Sequence, residues 1–126
     1  MRSAYLAAAL VLLSAPAAAG PADVNAQGFY VDAKALLAKG MGAMFDKRTR
    51  PRMAQLKAAG EAARDANAVA SKAGRPLYCV SEAQRSKGLS PEAALTILER
   101  TTEAERRAWT LERAWLVALQ RTYPCR

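Results

Sequence analysis

Residues 77–126 read LYCVSEAQRSKGLSPEAALTILERTTEAERRAWTLERAWLVALQRTYPCR, and this stretch decides the fold. Between Leu77 and Tyr123 it carries fourteen large apolar residues in 47 positions, whereas Asp46 to Pro76 carries only Met53, Leu56 and Val69. The core is therefore expected in the C-terminal part. Ser81-x-x-Gln84 fits a capping box that opens a short helix, and Gly88 can end it. Ser90 with Pro91 behind it is a second helix start, because a serine caps free amides and a proline tolerates the first helical position. Leu95 and Leu98 mark the buried face of that helix. Thr110 opens a last helix in which Leu111, Trp115 and Leu119 recur every four residues, and Pro124 stops it. Trp115, between two leucines at that spacing, is read as a core anchor rather than a surface hot spot. The fold class is all-α: a small disulfide-stapled helical bundle of about four to five helices.

Working outward, the start of the chain reads as a cleavable export signal over residues 1–19. Arg2 gives a positive start, Ala4 to Leu13 is an apolar run, and Ala17-Ala18-Ala19 is a small-x-small cleavage site. The run is about ten residues, too short to span a bilayer as a stable helix. Export to a bacterial periplasm is expected, with one domain at 20–126. Cys79 and Cys125 are the chain's two cysteines, and an oxidising compartment predicts that they join. A 77–126 core closed by that bridge follows.

Upstream of the core, Asp32 is expected to cap a first helix through Leu36, Leu37, Met41, Met44 and Phe45, with Gly28-Phe29-Tyr30-Val31 as an extended lead-in. An alanine-rich basic helix is expected over about 50–73, with Pro51 in its first turn and Gly74 beyond its end. Its inner stripe is Met53, Leu56, Gly60, Ala63, Asn67 and Ala70. So few large side chains bury little area against one small core, which predicts a homodimer through this alanine face, with a frayed arm as the competing outcome.

The net charge is +8, and loss of Arg2 with the leader leaves +7. Outside the cell the polyanions available to such a chain are lipid, cell-wall polymer and acidic protein rather than nucleic acid. Lys47, Arg48, Arg50, Arg52 and Lys57 form the candidate basic surface. Histidine is absent, which removes the commonest general base and every Ser-His or Cys-His arrangement. Two cysteines without histidine do not build a structural zinc site. Glu103 stands four residues before Arg107, the spacing of a helical surface pair rather than of a catalytic carboxylate dyad. Gly40-Met41-Gly42 lacks the strand and the Gly-Lys of a phosphate loop. No catalytic, cofactor or metal site is expected, and the chain is read as a non-enzyme.

Tyr78-Cys79-Val80, the Ser-Pro-led helix with Leu95 and Leu98, the charged turn at Arg106-Arg107 and the closing Tyr123-Pro124-Cys125 resemble the C-terminal half of the Rap/Tai family, the type VI secretion amidase immunity proteins. Gly28 to Val31 and Leu36-Leu37 are similar to the segment that opens many members. Two departures stand out: Gly40 lies near where members often carry a further cysteine, and the stretch from Lys47 to Lys72 replaces the usual middle. The resemblance implies a periplasmic helical protein, often dimeric, that binds a secreted cell-wall amidase and blocks it; no contact residue transfers. A second reading is an envelope or stress protein in peripheral contact with anionic lipid or cell wall through the basic helix. A third, an acid-activated chaperone, fits less well with a basic chain that lacks histidine.

Overall fold

The computed structural model describes residues 20–126; the expected export signal over residues 1–19 lies outside them. Six α-helices account for most of this span: α1 (Ala26–Ala38), α2 (Thr49–Lys72), α3 (Glu82–Lys87), α4 (Pro91–Leu98), α5 (Glu103–Ala108) and α6 (Leu111–Thr122). Two 3-10 turns, Pro21–Asp23 and Gly40–Phe45, precede α1 and α2. There is no strand among the described residues, only an isolated antiparallel bridge between Asn25 and Thr110. No described helix is long and apolar enough to cross a membrane.

The C-terminal helices start where their caps require. Ser81 and Gln84 bond each other's backbone as a capping box, Ser90 accepts from the Ala93 amide, and Thr110 accepts from the Arg113 amide. Thr102 and Glu105 add a further box at the head of α5. Each cap satisfies amides that the first helical turn leaves free. On the buried faces, Leu98, Leu111 and Ala114 are almost wholly enclosed, with Trp115 at 4% exposure. Leu89, counted with the core from sequence, is instead half exposed at the edge of the bundle.

The first helix departs from expectation at both ends. It begins at Ala26, capped by Asn25, whose Oδ1 accepts from the Gln27 and Gly28 amides at 3.0 and 3.1 Å. Phe29 is thus a buried helical residue and not part of an extended lead-in. The reason is tertiary: the Ala26 amide donates to the Trp109 carbonyl and the Leu111 amide to the Val24 carbonyl, which docks the chain about two turns earlier than Asp32. At the other end α1 stops at Ala38, since Gly40 adopts a positive φ of 56° that continues no right-handed helix. Met41, Met44 and Phe45 leave the buried face as a result.

Helix α2 runs within one residue of its expected bounds, with Gly74 following it. Its alanine face is not free. Ala59 and Ala63 are buried where α2 lies along α6, whose Ala114 and Ala118 are fully enclosed. Small side chains on both helices let the backbones approach closely, so the expected shortage of buried area is met within one chain. Ala59 and Ala63 are thus already covered within one chain, which removes the energetic motive for the expected homodimer through this face. Asn67, on the same stripe, clamps the segment that follows: its Oδ1 accepts from the Leu77 and Tyr78 amides at 2.8 and 3.3 Å, and its Nδ2 donates to the Tyr78 carbonyl at 3.1 Å.

The disulfide joins Cys79 to Cys125, with 5.0 Å between their Cα atoms. Beside it the Cys79 amide donates to the Tyr123 carbonyl at 2.9 Å. The bridge ties the 77–80 segment to the end of α6. Arg106 performs a similar task for α1 and α5: nearly buried, it lies 4.1 Å from the Tyr30 ring centroid, donates to Gln27 Oε1 at 2.8 Å, and bonds the Thr101 carbonyl.

Candidate binding site

Four large apolar side chains face solvent on the Gly40–Phe45 turn and the first part of α2. Phe45 is 90% exposed, Met41 80%, Met44 74% and Met53 67%. A groove beside them lies between α1, the Gly40–Phe45 turn, the first half of α2 and the start of α4, with Phe29, Leu36, Leu37, Leu56 and Leu95 in its walls; Met53 lines it, and the turn contributes Gly40 and Ala43. The groove encloses about 370 Å³. Exposed large apolar side chains so close together along the chain mark a surface that meets another apolar surface. Methionine suits such a surface because its unbranched, polarisable side chain adapts to what it touches.

An ionic network, rather than burial, holds this protruding turn. Asp32 on α1 accepts from Arg52 at 2.7 and 3.0 Å and from Arg48 at 3.2 Å. Asp46, just past the turn, accepts from Arg48 at 3.0 and 3.1 Å and from Lys39 at 2.6 Å. The run Lys39–Asp46–Arg48–Asp32–Arg52 therefore straps α1, the turn and α2 together. The Arg52 hydrogen bond, opposed by some desolvation, holds the Asp32 carboxyl below its usual range. The Arg48 and Lys39 bonds hold Asp46 far below that range. Arg48 in turn is raised above the ordinary arginine value, mainly by its bond to Asp46.

This network divides the basic residues singled out from sequence. Arg48 and Arg52 are spent on Asp32 and Asp46, and Arg52 also packs over the Phe29 ring at 5.9 Å. Lys57 faces Glu61 at 4.0 Å, a loose surface pair. Lys47 and Arg50 are exposed and make no side-chain hydrogen bond or ion pair among the described residues. The basic surface is thus Lys47, Arg50 and the loosely paired Lys57, beside the exposed apolar turn. Spacing missed the turn because Met41, Met44 and Phe45 fit a buried helical face equally well. The glycines at 40 and 42 were the available signal.

Glu103 pairs with Arg107 at 2.9 Å, as its spacing predicts. Glu105 is held by Arg121 at 2.7 Å through both carboxylate oxygens, which with the Thr102 amide lowers its pKa to about 2. Among the described residues no group of three acidic, cysteine or histidine side chains is placed to hold a metal ion. No protein-family model, curated protein or solved structure matches the chain.

Proposed function

We propose that the chain is an exported, non-enzymatic binding protein whose groove and exposed Met–Phe turn grip a secreted cell-wall amidase, in the manner of the immunity proteins its C-terminal half resembles. The observation that supports this reading is the apolar turn held out by ion pairs, with Lys47 and Arg50 left unpaired beside it. Such a surface fits a partner loop with one or two apolar side chains ringed by carboxylates, for which the excess positive charge is complementary. Preorganisation by the Asp32–Asp46 network spares the ordering cost on binding.

The test is calorimetry of the purified mature chain with a cell-wall amidase encoded beside it, coupled to an assay of peptidoglycan cleavage. Saturable binding that blocks cleavage, lost in the Phe45→Glu/Met53→Glu double variant without a change in melting, supports the proposal. An amidase that neither binds nor slows overturns it. The protruding turn next to Lys47 and Arg50 favours a second reading, peripheral contact with anionic lipid, in which apolar side chains enter the interface and basic ones meet head groups. Salt-sensitive binding to phosphatidylglycerol vesicles, with no response to the amidase, would select that reading.

A further inference from the structure

A second cleft lies on another part of the molecule, between the latter half of α2, α3, α4 and α6, and encloses about 700 Å³. It falls within the size range of small-molecule sites. Trp115, Ile97 and Leu119 line its apolar part, with Val80 and Leu89 nearby, and the only charged residues in its lining are Arg64 and Arg85. Neither guanidinium makes a side-chain hydrogen bond or an ion pair among the described residues. Burial raises the Tyr78 hydroxyl pKa, and both arginines lie close enough to oppose part of that rise.

Helix α3 covers this cleft without packing on the bundle. No Cα of α3 comes within 8 Å of a Cα in another helix, and residues 81–90 are exposed throughout. The flap is tethered at one end by the Cys79–Cys125 bridge and at the other by the Ser90 cap of α4. Gly88, with φ of 68°, supplies the left-handed corner between flap and α4. A segment with so few packed contacts sits at the low-stability end of a fold and moves at little cost.

We propose that this cleft is a binding site for a small amphiphile with one anionic head and an apolar chain, the head held between Arg64 and Arg85 and the chain laid against Ile97, Leu119 and Trp115 under the α3 flap. A carboxylate or a phosphate supplies the required head chemistry, since arginine forks match both. An extended peptide fits less well. Peptide strands dock through free main-chain groups, and along the nearby extended segment the Leu77, Tyr78 and Cys79 amides and the Tyr78 carbonyl are already bonded to Asn67 and Tyr123. The site is separate from the Met–Phe groove and does not depend on the function proposed for it.

Trp115 reports on the cleft directly. In the full mature chain carrying Trp109→Phe, titration with 11-bromoundecanoate should quench Trp115 emission saturably. Dodecanoate and dodecyl phosphate should each compete, and their ranking identifies the head group. Arg64→Gln/Arg85→Gln, two exposed positions whose change leaves the core intact, should weaken binding by at least about tenfold, the effect expected on loss of charge-assisted bonds. Chemical shifts of the Gly88 and Leu89 amides should move on binding in the unsubstituted protein, which covers the case that Trp109→Phe fails to fold. Absence of saturable quenching and of shift changes overturns the proposal. So does unchanged affinity in the double arginine variant, equal binding of neutral dodecanol, or tighter binding of a peptide with an apolar C-terminal residue.

Discussion

The helices α4 to α6 and the turn Gly40–Phe45 are both rich in large apolar residues, yet they are stabilised in opposite ways. Leu98, Leu111 and Trp115 are removed from water, and their helices are held by the area they bury. Met41, Met44 and Phe45 remain in water, and their turn is held by Asp32, Asp46 and the basic side chains around them. Apolar content therefore does not distinguish core from contact surface in this chain. What distinguishes them is whether the flanking polar residues cap a helix that packs or strap a turn that protrudes.

If that contrast is right, truncation should be costly in one region and almost free in the other. Trp115→Ala removes a buried indole from the centre of the bundle and should cost about 3 to 5 kcal/mol. Urea unfolding measures it, and a stability equal to the unsubstituted protein would place Trp115 outside the core. Opening the Cys79–Cys125 bridge, by reduction or by Cys79→Ala/Cys125→Ala, should cost about 4 kcal/mol on the chain-entropy estimate for a loop of this length. Two free thiols in non-reduced, denatured protein would contradict the staple itself.

A smaller effect should appear on acidification. Because Glu105 has its pKa lowered in the folded protein from 4.5 to about 2, its contribution is full above the ordinary value and disappears as pH falls through the folded one. Glu105→Gln should then melt lower than the parent at neutral pH, with the gap narrowing below pH 4.5 and closing near 2. A gap that persists at pH 2 would assign the loss to packing rather than charge. Smallest of all, Phe45→Ser at a fully solvated site should alter stability by no more than about 0.5 kcal/mol. A larger loss would show that the turn packs in solution and would break the contrast drawn here.

Ala63→Glu separates a third pair of possibilities. With Ala63 enclosed between α2 and α6, an unpaired carboxylate there should unfold the bundle, at a cost of about 3 kcal/mol or more. A variant that stays folded and merely changes from dimer to monomer would return the alanine stripe to an intermolecular role. Sedimentation and circular dichroism on the same sample decide between the two.

The sequence by itself determined the all-α class, the cysteine pairing, the starts at Ser81, Ser90 and Thr110, and the buried leucines with Trp115. These rest on local physics, because a cap reaches only two or three residues along the chain and a helical face repeats every four. The start of α1 was not decided locally, since Asn25 and Asp32 are both competent caps. The pairing of residues 24 and 26 with 109 and 111 selected Asn25. Nor could spacing tell that Ala59 and Ala63 meet α6, or that Arg48 and Arg52 are consumed by Asp32 and Asp46. The Met–Phe groove and the arginine cleft are each assembled from several helices. Only the tertiary structure could form them, because whether Arg64 and Arg85 line one cleft, or Leu37 and Leu95 one groove, depends on how helices pack rather than on what any one helix contains.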